Sequence, residues 1–234
     1  MRRFILFLAA FAFLAAFAAT QVQAAHWVIV RDDAVRPPQL GTYVSATRTA
    51  AQSARSAFTT LALSNLHYVT LADAPDLDAA KTFSRAWIDP AAVESRAVAI
   101  WELRPDLSYE PAEPRLTAGE EGFIHFDVYA SLPGHDAEVE ALTREYAEVD
   151  RKAGVRHRWI VYAVVIGADL PAFVVATPAR ARDDYESEKK AADLLRAGRD
   201  LPLHIRNTQL LRRVDSFEGV IRRDLSHGAA RETK

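Results

Sequence analysis

The sequence predicts an α+β protein made of two copies of one β-α-β-β-α-β unit, preceded by an export signal. Two segments carry the duplication, because residues 93–109 and 214–227 both run from Val-(Glu/Asp)-Ser to Asp-Leu-Ser. Each segment closes a longer unit that opens with a strand-like run, a turn and a helical pattern. Internal repetition constrains architecture more strongly than a single motif does, so these two units define the predicted fold.

The N-terminus has the three parts of a secretory signal. Arg2 and Arg3 precede an apolar run over residues 4–19, and Val22-Gln23-Ala24 fits the small-x-small rule for cleavage. An uncleaved membrane anchor is the alternative, but the run falls short of the ~20 apolar residues that span a bilayer. We therefore predict a signal peptide over residues 1–24 and a periplasmic or secreted mature protein with no stable membrane association.

Composition excludes several classes of partner and site. The chain of 234 residues has a formal net charge of −2 and no basic runs, which argues against nucleic acid or an anionic membrane as a partner. It contains no cysteine, so it has no disulfide, no thiolate nucleophile and no cysteine metal ligand. With 50% hydrophobic residues, the chain can form a packed core without these covalent links.

The second unit has the clearer pattern of elements. Residues 123–129 alternate between two faces of a strand, and Leu-Pro-Gly at 132–134 ends it. A helix follows, with Val139, Leu142, Tyr146 and Val149 on one face, and Gly154 ends it. The remaining predicted elements are strands at 158–166 and 172–176, helices at 183–197 and 203–212, and a last strand at 214–222.

The first unit can be aligned with the second. Its predicted elements are strands at 27–32, 58–63, 66–71 and 97–103, with helices at 39–56 and 76–87. We place the first repeat at residues 25–110, a linker at 111–121, the second repeat at 122–227 and a tail at 228–234. The order β-α-β-β-α-β in each repeat is the ferredoxin-like arrangement.

The segments 27–56 and 123–154, together with the hairpin 159–176, resemble the dimeric α+β barrel superfamily. The resemblance implies that the two ferredoxin-like repeats pack as an intramolecular barrel, so we expect a monomeric pseudo-dimer and leave further oligomerisation open. The superfamily includes cofactor-independent monooxygenases, haem-degrading enzymes, isomerases and stress-induced proteins. No active-site motif of these branches matches this chain, so the resemblance implies a fold and leaves the catalytic residues unknown.

Polar residues on the first strands of the two units form the candidate ligand site. If Ile124, Phe126 and Val128 face the helices, His125 and Asp127 point into the barrel. Arg31 is their counterpart in the first repeat, and the apolar walls of the cavity would be Trp27, Tyr129 and Trp159. Such a group could bind an acidic or carbonyl-bearing ligand. The alternative is a buried structural network in which Arg31 and Asp127 neutralise each other.

The sequence gives less support to a haem site, a metal site, a nucleophilic serine or a nucleotide-binding loop. His67 and His157 each have an aromatic neighbour, a pair that suits a flat ligand such as haem, but we interpret both as structural. The seven histidines lack the spacing of a metal site, no serine fits a nucleophile elbow and no glycine-rich loop follows a strand. We therefore predict no metal and no cofactor. The Asp-Leu-Ser segments at 106–108 and 224–226 are expected to hydrogen-bond nearby backbone.

Three function classes remain open. The first is an exported barrel protein that binds a small organic ligand. The second is a cofactor-independent monooxygenase or isomerase, as the resemblance allows. The third is a structural or interaction module whose barrel is filled entirely by side chains. An open cavity with His125 or Arg31 at its wall would favour the first two classes.

Overall fold

The strands form one closed barrel with the helices outside it. The computed structural model describes residues 26–54, 57–74, 90–117, 119–167 and 170–228. The eight strands are β1 Trp27–Val35, β2 Phe58–Ser64, β3 His67–Ala74, β4 Val93–Leu103, β5 Phe123–Ser131, β6 Ile160–Ile166, β7 Ala172–Ala179 and β8 Leu211–Ile221. The helices are α1 Leu40–Ser53, α2 Asp136–Ala153, α3 Arg182–Arg196 and α4 Leu201–Leu210.

The strand order confirms two ferredoxin-like repeats. The barrel runs β1-β3-β2-β8-β5-β7-β6-β4, and every neighbouring pair is antiparallel. Within it, β4-β1-β3-β2 and β8-β5-β7-β6 are the same four-strand order, once from each repeat. Two seams join the repeats, β2 with β8 and β4 with β6. The chain thus has the predicted intramolecular α+β barrel.

Most predicted elements are present, and seven of the eight strands are longer than the sequence pattern indicated, while β6 is two residues shorter. Both last strands begin earlier than predicted, at Val93 and Leu211. Helix α2 ends as predicted, because Gly154 takes the left-handed conformation at φ 71° and the N–H of Val155 returns to the carbonyl of Asp150. The predicted helix at 76–87 and the predicted signal peptide lie outside the described residues. In the described part of the chain, no helix is both long and apolar enough to cross a bilayer.

Apolar side chains from strands of both repeats pack together inside the barrel. The aromatic side chains of the interior are in contact with one another. Phe126 stacks on Phe217 with 4.6 Å between ring centroids, and the ring centroids of Trp101 and Tyr162 are 5.6 Å apart. The interior burial of Tyr162 raises the pKa of its hydroxyl to about 12. The buried members of this interior cluster are Val28, Val30, Leu61, Val69, Trp101, Phe126, Val174 and Ala176.

The predicted orientation of β5 is wrong. Phe126 belongs to the interior cluster, and Ile124 and Val128 pack against it. His125 and Asp127 therefore lie on the outer face, beneath the helices of the second repeat. The physical reason is closure: the interior of an eight-stranded barrel is just wide enough to be filled by side chains, so apolar residues occupy it. Polar residues on the outer face can find partners on the helices.

A turn after each last strand closes the two seams. The hydroxyl of Ser108 donates to the carbonyl of Arg104 at 2.8 Å and accepts the N–H of Val161 on β6 at 2.9 Å. Ser226 repeats this across the other seam, donating to the carbonyl of Arg222 and accepting the N–H of Thr60 on β2. The predicted backbone role of the Asp-Leu-Ser segments is confirmed.

The rest of the turn is equally similar between the repeats. Arg104 binds the carboxylate of Asp106 through two nitrogens, and Arg222 binds Asp224 in the same way. The pKa of both carboxyls falls to about 2, first because of the hydrogen bonds from these arginines. Leu107 and Leu225 are fully buried below the turns.

Strand pairing corrects the alignment of the other half of the duplicated segment. Asp33 on β1 lies opposite Arg96, whereas Tyr129, in the same position of β5, lies opposite Val214. Val214 is therefore the structural counterpart of Arg96 and not of Val93. The Val-(Glu/Asp)-Ser similarity is shifted by three residues from the true register, while the Asp-Leu-Ser similarity is in register.

We predict that Ser226→Ala lowers the free energy of unfolding by about 1–3 kcal/mol, because the N–H of buried Thr60 loses its acceptor. Urea unfolding followed by circular dichroism gives the measurement. Ser53→Ala is the matched control, since the hydroxyl of Ser53 bonds only within an exposed part of α1. An equal loss in both variants would contradict the role of Ser226 in the seam.

Candidate functional site

An open cavity of about 400 Å³ lies between the helices and the outer face of the sheet in the second repeat. Strands β5, β6, β7 and β8 form its base, and α2, α3 and α4 form its cover. The apolar part of the wall includes the buried or half-buried side chains of Val139, Leu142, Trp159, Val161, Phe173 and Val175, together with exposed Val214. A mainly apolar space of this size is typical of small-molecule sites.

A buried ion pair fixes one side of the cavity. Asp150 of α2 is only 1% exposed, and Arg196 of α3 binds both of its oxygens, with Nε–Oδ1 at 2.6 Å and Nη2–Oδ2 at 3.0 Å. The indole N–H of Trp159 also donates to Asp150, at 2.9 Å. Burial alone would lower the pKa of Arg196, but the hydrogen bonds with Asp150 raise it. The pair holds α2, α3 and Trp159 in one arrangement.

A second polar group lies where α2 meets α4. The hydroxyl of Tyr146 is 2.9 Å from Nδ1 of His204, and Nε2 of His204 is 3.3 Å from Asp200. Burial raises the pKa of Tyr146, so its hydroxyl keeps its proton at neutral pH. The ring of Tyr146 thus lines the cavity, while its hydroxyl is hydrogen-bonded to His204 of α4.

The base of the cavity holds a carboxylate and an imidazole from β5. Asp127 accepts a hydrogen bond from Ser216 at 2.5 Å and lies 3.2 Å from Nε2 of His125. Burial of Asp127 favours the neutral acid, but the hydrogen bonds from His125 and Ser216 hold the pKa of its carboxyl below the usual range. The ring of His125 stacks on Tyr185 of α3, with 4.4 Å between centroids. His125 therefore lies behind Tyr185 rather than in the cavity wall.

Several polar groups of the wall make no side-chain hydrogen bond within the described residues, and two of them lie on β5 and just before β6. One is the hydroxyl of Tyr129, whose pKa is raised by burial and next by the nearby charge of Asp127. The other is the imidazole of His157, whose pKa falls to about 4 through burial and then through the positive charge of Arg196. At neutral pH the cavity therefore presents a protonated phenol and a neutral imidazole.

The structure brings together only part of the predicted site. Asp127, Tyr129 and Trp159 line the cavity of the second repeat, and His125 supports it through Asp127. Arg31 lies in the first repeat, and Trp27 packs there beside Ile29. The predicted single cavity between the two sheets is therefore wrong, because the barrel interior separates the outer faces of the repeats.

Arg31 belongs to a buried group beneath α1. Its Nε lies 2.9 Å from Asp33, and both side chains are fully buried. Asp33 also accepts hydrogen bonds from the hydroxyl of Tyr43 at 3.0 Å and from Arg96 at 2.6 Å. Burial, followed by the charge of Asp33, raises the pKa of Tyr43. Asp33 thus occupies the position that Tyr129 has in the second repeat, and Arg31 pairs with it rather than with Asp127.

The sequence patterns did not indicate several residues of the wall, among them His157, Tyr185 and Tyr146. His157 was interpreted as structural, and Tyr185 lies in the predicted helix at 183–197, whose sequence is highly charged. Tyr146 was assigned to the apolar face of its helix, which is correct, but nothing in the sequence indicated that this face borders a cavity. An aromatic residue within a highly charged helix was the available signal for Tyr185.

No group of three or more histidine or acidic side chains with the geometry of a metal site occurs within the described ranges. No family model matches the sequence, and no curated protein matches it.

Solved structures do share the fold. An anthrone oxidase-like protein matches with a TM-score of 0.61 and 12% identity, covering 88% of this chain and 95% of its own. A provisionally named monooxygenase from Fusobacterium nucleatum matches with a TM-score of 0.57 and 13% identity, covering 85% of this chain and 93% of its own. A variant of chlorite dismutase from Candidatus Nitrospira defluvii matches with a TM-score of 0.59 and 9% identity, covering 86% of this chain and 92% of its own. At these identities the likeness establishes the dimeric α+β barrel fold and no activity.

We predict that His157 makes stability fall between pH 6.5 and about 4, the ordinary and the lowered pKa of its imidazole. In this window the unfolded chain binds a proton that the folded protein does not, so unfolding becomes easier as the pH falls. The full effect is about 3 kcal/mol. His157→Leu should remove this component, and urea unfolding of both proteins across the window measures it. Parallel pH profiles for the parent and the variant would contradict the prediction.

Proposed function

We propose that this protein binds a small hydroxylated aromatic compound in the cavity of the second repeat. The observation that supports this proposal most directly is an apolar wall that carries polar groups without hydrogen bonds among the described residues, including Tyr129 and His157. The cavity of about 400 Å³ suits a ligand of two or three fused rings, since small-molecule pockets span roughly 300–1,000 Å³.

His157 and Tyr129 can each bind a ligand that carries a neutral hydroxyl or carbonyl. Neutral His157 can accept a hydrogen bond from a ligand hydroxyl, and the phenol of Tyr129 can donate one to a ligand oxygen. The buried cation of Arg196 is already neutralised by Asp150, so it offers little to a ligand carboxylate. Trp159 and Phe173 supply aromatic faces for a planar ring.

An oxygenase reaction in the same cavity is the second candidate. Two structural neighbours are named as an anthrone oxidase-like protein and a monooxygenase. An anthrone is a fused-ring aromatic ketone of a size similar to the proposed ligand. The feature of the cavity that bears on this candidate is the neutral imidazole of His157, which can accept a hydrogen bond from a bound hydroxyl. Binding is the simpler function, because it requires no base of higher pKa.

We also propose that the protein acts outside the cytoplasm. The basic residues, apolar run and cleavage motif of the first 24 residues support export. Mass spectrometry of the protein recovered from cell fractions should find a mature chain that begins at Ala25 in the periplasm or the medium. A product that retains Met1 and sediments with membranes would refute this proposal.

We predict that 2-naphthol quenches the fluorescence of the protein by binding beside Trp159, and that naphthalene binds with lower affinity. Tyr129→Phe should weaken binding of 2-naphthol by about tenfold, the loss expected from one buried hydrogen bond, and leave naphthalene unchanged. Fluorescence titration measures both probes on both proteins.

Tyr43→Phe is the matched control, because Tyr43 lies on helix α1 of the other repeat and its hydroxyl donates to Asp33. Equal weakening by the two variants, or no binding of either probe, would overturn the proposed site. Oxygen uptake during the titration would identify the second candidate, and its absence would leave binding alone.

A further inference from the structure

Among the described residues, one edge of strand β8 is unpaired along most of its length. It pairs with β5 from Leu211 to Val220, but with β2 only through Ile221 and Val220. The five consecutive residues 212–216 are all exposed, which is unusual for a strand of a closed barrel. Their exposure has a simple cause: β2 ends at Ser64, and β8 continues beyond it.

The direction of the backbone groups on this edge follows from the neighbouring hydrogen bonds. The N–H of Ile221 donates to Gly122 on the β5 side, and the N–H of Arg222 donates to Thr60 on the β2 side. Because these directions alternate along an antiparallel strand, Val214 and Ser216 direct their N–H and C=O groups away from β5. Within the described residues, no backbone group pairs with them. Such an edge is a template for another strand.

The charges on the open edge are self-complementary. Arg213 and Asp215 are both half exposed and form an ion pair with each other, with Nε–Oδ2 at 2.6 Å. If two copies of β8 pair in antiparallel fashion about Val214, Arg213 of each copy lies opposite Asp215 of the other. Exposed Val214, at 52%, then lies opposite its own equivalent. A register centred on Asp215 would place the two Asp215 side chains opposite each other, which is repulsive.

We propose that the open edge of β8 pairs with β8 of a second copy of this chain, forming a symmetric dimer centred on Val214. The contact is isologous, as a twofold dimer requires. It extends the barrel sheet from one protomer into the other through backbone hydrogen bonds, and the crossed Arg213–Asp215 pairs select the register. The contact area is small, so association is weak and concentration-dependent.

Sedimentation velocity of the mature chain, up to about 1 mM, tests this inference, because specific contacts of low area have dissociation constants in the micromolar to millimolar range. The parent protein should be a dimer at high concentration and dissociate on dilution. Arg213→Glu should be monomeric, since the introduced carboxylate would oppose Asp215 of the other copy. Asp215→Arg should be monomeric because two arginines would oppose each other.

An equimolar mixture of the two monomeric variants provides the decisive measurement. Each variant supplies the charge that the other lacks, so the mixture should form a heterodimer with at least a roughly tenfold higher affinity than either variant alone. The control is Arg206→Glu, which reverses one charge of the equally exposed Arg206–Glu145 pair on the helices and should leave the dimer unchanged. Thermal melts confirm folding. A parent that stays monomeric, or a mixture that stays monomeric while the parent dimerises, would overturn the inference.

Discussion

Closure of the barrel depends on the two hydroxyls of Ser108 and Ser226, each of which connects the end of one repeat to a strand of the other. Each hydroxyl accepts a hydrogen bond from the backbone N–H of a strand in the other repeat and donates one to the carbonyl four residues before the serine. The carboxylates of Asp106 and Asp224 stiffen the same turns by binding Arg104 and Arg222. The turns add to the strand pairing of β2 with β8 and of β4 with β6, which covers the edges of β2 and β6 at the two seams.

Closure also determines where polar residues can lie. Apolar side chains fill the barrel interior, so Arg31 and Asp33 of β1 and His125 and Asp127 of β5 are directed to the outer faces under the helices. The two repeats use this outer layer differently. In the first, fully buried Arg31, Asp33 and Tyr43 occupy it. In the second repeat, the space between the sheet and the helices contains the open cavity, and the Asp150–Arg196 pair fixes one side of it.

Duplication followed by divergence of this kind separates structural from functional roles in one chain. The first repeat contributes half of the barrel and a buried ion pair whose removal would leave a charge without its partner, which is costly in a protein interior. The second repeat contributes a cavity with unengaged polar groups. The same asymmetry extends to the last strands, since β8 carries a self-complementary charge pattern on its open edge, and the corresponding part of β4 has Ser95 and Ala97 where β8 has Arg213 and Asp215.

The sequence by itself determined the repeat, the order of the elements and the end of α2 at Gly154, because hydrophobic periodicity and turn residues are local properties of the chain. It also indicated Asp127, Tyr129 and Trp159 as residues of interest. Only the tertiary structure decided which face of β5 lies inside, since alternation gives two faces and closure of the barrel selects one. Only the tertiary structure separated Arg31 from Asp127 and brought His157 and Tyr129, which are distant in sequence, to one cavity, because that meeting depends on how three helices cover a sheet.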